Sequence, residues 1–366
     1  MNEMVHGMKR ISTAVVVLLL SSLSVAAQTV TGYCVRYDQR HWLYQKDGGV
    51  NVIDIDMEWP LAASHADIAP LQTLLASTAL MSLGDSNYDD AVEHFLQRFG
   101  TPVTKQFDTL PDDSAFCYVK AKTMLLGYQP GRYIAMFAEY DCNPMPRSKQ
   151  VETNRCVFVT YDIANGKLLE LKDVINLKKL DDTYKGKHVF YLEEDGETNV
   201  IIVDGACLGQ GSMYVSSLDG TCYKLGWPLI EPYVTPAAHR LMMKKAKKPA
   251  NVVNYTLDNT FAGKHVFEKV DQPATFSSNG MDFKHYLTKY LQLPDEPAEH
   301  NVGNQMALSL VIDEIGQVVD VSVTAPCSPS IDREVVRVVK AMPRWKPAVV
   351  DGQNVCSRVN IPIEFK

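Results

Sequence analysis

The chain has 366 residues, 46% of them hydrophobic and 22% charged, with a formal net charge of −7. That length holds about two domains, and the composition can bury full cores. The acidic balance argues against a nucleic-acid partner, because such binders normally carry a basic surface.

The chain opens with Lys9 and Arg10, followed by the apolar run ISTAVVVLLLSSLSVAA, with Val25 and Ala27 placed as the small residues of a cleavage site. This layout predicts a secretory signal peptide over 1–27, with Met8 as an alternative start. If the run were not cleaved it would anchor the chain in a membrane, and membrane contact is expected only in that case. Cys34 follows Tyr33, where a lipid-attachment site needs a small residue. Eight cysteines in an exported chain suit an oxidising compartment. Cys142 and Cys156 bracket the polar loop NPMPRSKQVETNR, and Cys207 and Cys222 bracket a turn-rich stretch, so these four are the disulfide candidates. A bridge across the first loop would contribute about 3 kcal/mol by restricting the unfolded chain. Without a Cys-x-x-Cys pair, zinc is not expected.

Next, GVNVIDIDMEWPL alternates as a strand. PLQTLLASTALMSL places Pro70 in a first helical turn, and NYDDAVEHFLQRFG forms a second helix capped by Ser86 and stopped at Gly100. From Ala115 the period becomes that of strands, with Asn165-Gly166 marking a hairpin. Residues 33–245 therefore read as helices packed on a largely antiparallel sheet. Residues 246–263 read as a linker, entered through the basic cluster Lys244, Lys245, Lys247 and Lys248. That cluster is a solvated run, or else a contact for an acidic partner or membrane surface.

Residues 264–366 form a second unit. Met306, Leu308, Leu310 and Ile312 line one strand face, Gly316 closes a turn, and Val319, Val321 and Val323 return. Ser328-Pro329 starts a helix whose Ile331, Val335, Val338 and Met342 share one face, and Pro343 ends it. Trp345 is placed to plug the gap between helix end and sheet. Arg333, Arg337, Lys340, Arg344 and Lys346 read as the solvated side of the helix. In the closing strand Val355, Ser357, Val359, Ile361, Ile363 and Phe365 alternate with Cys356, Arg358, Asn360, Pro362 and Glu364, giving one buried and one wet face. Pro362 cannot donate to a ladder, so this strand belongs at a sheet edge. The whole is an α+β chain of two domains, the second with a ββαβ order.

Catalytic patterns are missing from the sequence: there is no Gly-rich phosphate loop, no G-x-S-x-G elbow and no His-x-x-x-His pair. His94 and His285 read as half-exposed helix residues, and the Asp54/Asp56 pair lacks a supporting constellation. No cofactor, metal or enzymatic activity is expected.

Two resemblances follow. IDIDMEWPL…LQTLL and YDIANGKLLELKDVI resemble the extracytoplasmic domain of lysozyme-sensing anti-sigma factors and some peptidoglycan deacetylases. That likeness implies an envelope sensor or inhibitor binding lysozyme-like proteins or peptidoglycan. VFEKVDQ, the VIDEIGQV hairpin and MPRWKPA make residues 264–366 similar to the C-terminal domain of TonB energy transducers, in the form common among Bacteroidetes, with Asn279-Gly280 where Gly-Gly is usual. It implies a periplasmic location in a Gram-negative envelope, or inner-membrane anchoring if the leader is retained. It also implies that the last strand accepts an extended segment of an outer-membrane TonB-dependent transporter or another envelope protein. The partner-binding candidates are then Val355, Ser357, Arg358, Val359, Asn360 and Ile361. The alternative is an edge merely blunted by Pro362 and Arg358. A folded unit stands where such transducers carry a proline-rich spacer, so the expected role is an accessory or a decoy in TonB-dependent transport.

Overall fold

The computed structural model describes residues 16–17, 33–47, 49–63, 66–103, 116–145, 151–185, 187–194, 197–209, 211–218, 221–243, 257–292 and 305–365. The predicted cleavage site and the basic cluster at 244–248 lie outside them.

A two-residue strand, β1 (Val16–Val17), precedes a long hairpin of β2 (Tyr33–Lys46) and β3 (Gly49–Ala63). Helix α1 (Ala69–Ala79) has Pro70 in its first turn. Helix α2 (Tyr88–Gln97) is capped by Asn87, whose side chain accepts from the Asp90 N–H, rather than by the expected Ser86. After β4 (Thr101–Pro102) come β5 (Phe116–Gln129), β6 (Tyr133–Pro144), β7 (Thr153–Asp162) and β8 (Lys167–Leu169). Gly166 turns the last hairpin at φ +63°, and the Asp162 carboxylate accepts from the Asn165 backbone and side chain. Short helices α3 (Leu171–Val174) and α4 (Leu177–Tyr184) lead into β9 (Val189–Glu194), β10 (Glu197–Leu208), β11 (Ser212–Ser217) and β12 (Cys222–Gly226). Helices α5 (Trp227–Ile230) and α6 (Pro236–Met243) end this stretch. Beyond it lie the small pair β13 (Thr260–Phe261) and β14 (Lys264–His265), helix α7 (Phe283–Tyr290), and the hairpin of β15 (Gln305–Ile312) and β16 (Val318–Ala325). Helix α8 (Pro329–Lys340), the hairpin of β17 (Ala348–Val350) and β18 (Gln353–Val355), and β19 (Ser357–Phe365) complete the chain.

The architecture is mixed α and β, dominated by strands. Among the described residues the main sheet has 11 strands, ordered β1-β19-β15-β16-β2-β3-β5-β6-β7-β8, with β4 on β2. Its pairings are antiparallel except β3 with β5, because α1 and α2 carry the chain across the sheet between those two strands. The strands expected in two units thus share one sheet, joined where Val321, Ser322 and Val323 of β16 meet Tyr37, Arg36 and Val35 of β2. A 4-stranded sheet, β12-β11-β10-β9, packs on β6 and β7 around Phe137, Phe158, Phe190, Ile201 and Leu208.

The C-terminal hairpin follows the predicted pattern with one change. Met306, Leu308, Leu310 and Ile312 are buried, as are Val321 and Val323. A register shift between Val311 and Ile312 breaks the alternation, so Val319 packs instead with Val266, Val311 and Cys356 on the opposite side. Gly316 turns at φ +83°, and an added Cβ would collide with the Trp345 carbonyl, whose own N–H donates to the Gly316 carbonyl at 2.7 Å. Trp345 is buried against Phe276 and Phe283. Asn279 and Gly280 both have positive φ and close a tight turn between Ser278 and Met281, a conformation asparagine tolerates nearly as well as glycine. Ser328 caps α8 by accepting from the Ile331 N–H.

The cysteine pairings drawn from the sequence are not made. Cys142 lies opposite Thr153, while Cys156 lies opposite Glu139, three positions along the same strand pair. An odd offset places the two side chains on opposite faces, and the separation along the strands exceeds what a disulfide spans. Cys207 and Cys222 sit on β10 and β12 with β11 between them. Two strand spacings, about 9.5 Å, again exceed the bridging range.

Candidate partner-binding edge

The closing strand is broken at Cys356, with Val355 ending the β17–β18 hairpin opposite Ala348 and Ser357 beginning β19. On its inner side β19 pairs antiparallel with β15, in register from Gln305–Glu364 to Ile312–Ser357. On its outer side Phe267 forms a parallel bridge at Ser357: the Phe267 N–H donates to the Cys356 carbonyl at 2.8 Å, and the Arg358 N–H donates to the Phe267 carbonyl at 2.9 Å. Arg358 therefore points its backbone groups away from β15, and strand alternation gives Asn360, Pro362 and Glu364 the same direction. Pro362 has no N–H to leave unpaired there. At the far end Val16 and Val17 pair antiparallel with Phe365 and Glu364. Among the described residues the stretch between these two contacts is open, and it presents the carbonyls of Arg358, Asn360 and Pro362 and the N–H of Asn360.

Ser357, Ile361 and Ile363 are buried, Val359 is half-buried against the core, and Asn360 is exposed. Cys356, expected on the wet face, is buried at 3% exposure because residues 258–267 cross that face. Leu257 opens this crossing segment by packing on Cys34 and Leu61. Arg358 is held inward, donating to Ser309 Oγ at 3.1 Å and to the Asp258 carbonyl at 2.5 Å. Burial pulls its affinity for a proton below the ordinary value, with Asp320 opposing. Thus Val355 and Ser357 lie at the covered end of the candidate set, Ile361 anchors it from beneath, and Arg358, Val359 and Asn360 frame the open stretch.

Beneath the crossing segment is a cavity of about 500 Å³ whose walls include Arg36, Tyr88, Asp89, Phe261, Asp320 and Arg358. Arg36 donates to Asp320 at 2.9 Å and to Asp89 at 3.0 Å, with its guanidinium over the Tyr88 ring. Burial disfavours the Arg36 charge, but Asp320 and Asp89 outweigh it and hold the group above its ordinary value. This cluster bridges β2, β16 and α2 across the seam.

A second ionic contact locks the other face of the seam. Glu58 on β3 is buried, accepts from the Leu125 N–H at 2.7 Å, and pairs with Arg333 of α8, which also donates to the Leu125 carbonyl. Burial raises the Glu58 carboxyl above its ordinary value, against Arg333. Arg333 was expected on a solvated helix side; it reaches instead into the groove between α8 and the sheet. Arg337 does pair at the surface, with Glu334 at 2.7 Å. Arg36, Phe267 and Arg333 have no local pattern that marks them, and only the alternation in VFEKVDQ hints that Val266 and Phe267 point to different sides.

The scattered acid–base candidates stay apart. Asp54 pairs with His41 at 2.6 Å, Asp56 with Gln39, His94 with Asp85 at 2.8 Å and His285 with Asp282 at 2.9 Å. Among the described residues no group of three or more His, Cys, Asp or Glu is arranged to hold a metal ion, and no helix is long and apolar enough to cross a membrane.

Residues 289–366 match the family described as Gram-negative bacterial TonB protein C-terminal, so this part of the chain carries a TonB C-terminal domain. The match begins inside α7 and takes in β15, β16, α8 and β19, while VFEKVDQ lies ahead of it. It points to a protein-interaction role in the envelope. Among solved structures, the crystal structure of a DUF3298 family protein from Pseudomonas aeruginosa PAO1 is similar at 13% identity and a TM-score of 0.32, over 56% of this chain and 95% of that one. No curated protein matches the chain.

Proposed function

We propose that the protein is a periplasmic binding protein that takes an extended segment of an outer-membrane TonB-dependent transporter, or of another envelope protein, onto the outer side of β19. It acts by binding rather than catalysis. The observation that carries this reading is the state of the edge: the chain's own Phe267 already pairs at one end, and among the described residues the outward main-chain groups from the Arg358 carbonyl to the Pro362 carbonyl have no partner. Main-chain hydrogen bonds would supply affinity and the flanking side chains selectivity.

Asn360→Pro is the matching test. It deletes the one outward N–H of the open stretch without touching the ladder to β15. Fluorescence anisotropy with labelled periplasmic peptides of TonB-dependent transporters should show binding to the unmodified protein and about two- to tenfold weaker binding to the variant, the cost of one lost hydrogen bond at about 1.4 kcal/mol per decade. Equal binding by both proteins, or by neither, would defeat the reading. Binding of a lysozyme that Asn360→Pro leaves unchanged would instead favour the sensor or inhibitor role implied for residues 33–245.

A further inference from the structure

Beneath α2, Cys117 on β5 and Cys142 on β6 face each other with their Sγ atoms 3.2 Å apart. The register places Cys142 opposite Val119 and Cys117 opposite Pro144, so the two are diagonal neighbours on the same face of an antiparallel pair. Both side chains are buried, at 0% and 1% exposure, in the core that also holds Phe95, Phe99 and Tyr140. Sulfurs at this separation are already inside ordinary non-bonded contact. A bond length of about 2.05 Å requires each to move by roughly half an ångström, within reach of a small χ1 rotation.

We propose that Cys117 and Cys142 are a redox modification site that forms an intrachain disulfide, stapling β5 to β6. This goes beyond the partner-binding reading and is independent of it. The oxidant is a small or protein disulfide. The thiolate of one cysteine attacks a sulfur of that disulfide, forming a mixed disulfide and releasing one thiol. The thiolate of the second cysteine then attacks the mixed disulfide and releases the other thiol. Two cysteine thiols become one S–S bond, the external disulfide becomes two thiols, and the two protons leave the cysteines for the departing thiolates. Burial, and then Cys142 itself, hold the Cys117 thiol above its ordinary value, so the folded pair reacts slowly. The bond is therefore made while the sheet is still assembling, and the closed core then shields it from reductant.

The test uses the full chain, refolded from urea with oxidised glutathione, digested with trypsin without reduction and analysed by mass spectrometry. Each cysteine falls on its own fragment, Cys117 on 106–120 and Cys142 on 133–147. The expected product is these two fragments joined, in a protein that melts several degrees higher than the same protein refolded with dithiothreitol. Recovery of both fragments with alkylatable thiols, or of Cys142 joined to another cysteine, overturns the proposal.

Discussion

The small sheet of the C-terminal unit has two edges, and the protein treats them oppositely. The β16 edge meets β2 through only three register positions, yet it is closed on both faces by charge: the largely buried Arg36 and Asp320 with the exposed Asp89 on one, the buried Glu58 with Arg333 on the other. The β19 edge is longer, carries no such clamp over its central residues among the described residues, and places Pro362 where a donor would otherwise point outward. A sheet edge can be consumed or left available, and here side-chain chemistry decides which. The partly buried pairs Arg36–Asp320 and Arg333–Glu58 make the first edge specific to one partner strand. The second depends on main-chain groups, which do not discriminate between sequences, and so suits an exchangeable segment.

The sharpest way to break that contrast is at the clamp. Arg333→Ala leaves Glu58 buried without its cation, and because Arg333 is about one-third exposed we expect the lower end of the known range, a loss of about 3 kcal/mol in urea unfolding. A loss well under 1 kcal/mol would mean that the seam is held by apolar packing alone.

A pH dependence of intermediate size should come from the neighbouring Asp332. It is buried, and its carboxyl is pushed up to about 8 by burial, with the N–H groups of Cys327 and Ser328 opposing and Glu58 adding to the rise. In the unfolded chain an aspartate titrates at about 3.9. Between these values the folded state keeps a proton that the unfolded state has released, so stability falls as pH rises from about 4 to about 8 and levels off above. The buried, raised Glu58 acts in the same direction. Asp332→Asn keeps the acceptor for the Cys327 N–H and should flatten much of this slope. Urea midpoints that climb between pH 5 and pH 8, or an unchanged slope in the variant, would contradict the assignment.

Replacing both clamp partners is expected to matter less than replacing one. Glu58→Gln with Arg333→Met removes the charge cost together with the attraction while keeping an amide acceptor for the Leu125 N–H, and should lie within about 1 kcal/mol of the unmodified protein, giving a large coupling term in the double-mutant cycle.

Much of the C-terminal unit could be read from residues alone, because its signals are local. The alternation of β15 and β19, the Ser328-Pro329 start of α8 and the placement of Pro362 at an edge each depend on a few adjacent side chains. The seam could not be read that way. Arg333 sits 275 residues from Glu58 and Arg36 sits 284 from Asp320, and a helix face bearing a buried arginine has the same spacing as a solvated one. The bulge that reverses Val319 and the segment that buries Cys356 are likewise set by what packs across the sheet. Of the candidate edge, the strand and its exposed Asn360 were legible, whereas the capping by Phe267 was not.

The smallest stability effect separates an available edge from a consumed one. Asn360→Pro alters a residue whose N–H has no partner in the ladder to β15, so its loss removes no internal hydrogen bond. Proline also fixes φ near −65°, at the margin of the extended range, and pushes Val359 toward the β conformation it already has. These two effects nearly offset, and the urea midpoint should shift by less than about 1 kcal/mol. The same substitution at Val359 or Ile361 would delete a bond to β15 and cost about 3 kcal/mol or more. If proline were equally disruptive at 359, 360 and 361, the outward side of β19 would be bound into the fold as firmly as the β16 edge. A cost confined to 359 and 361 would leave the outer row free for a partner.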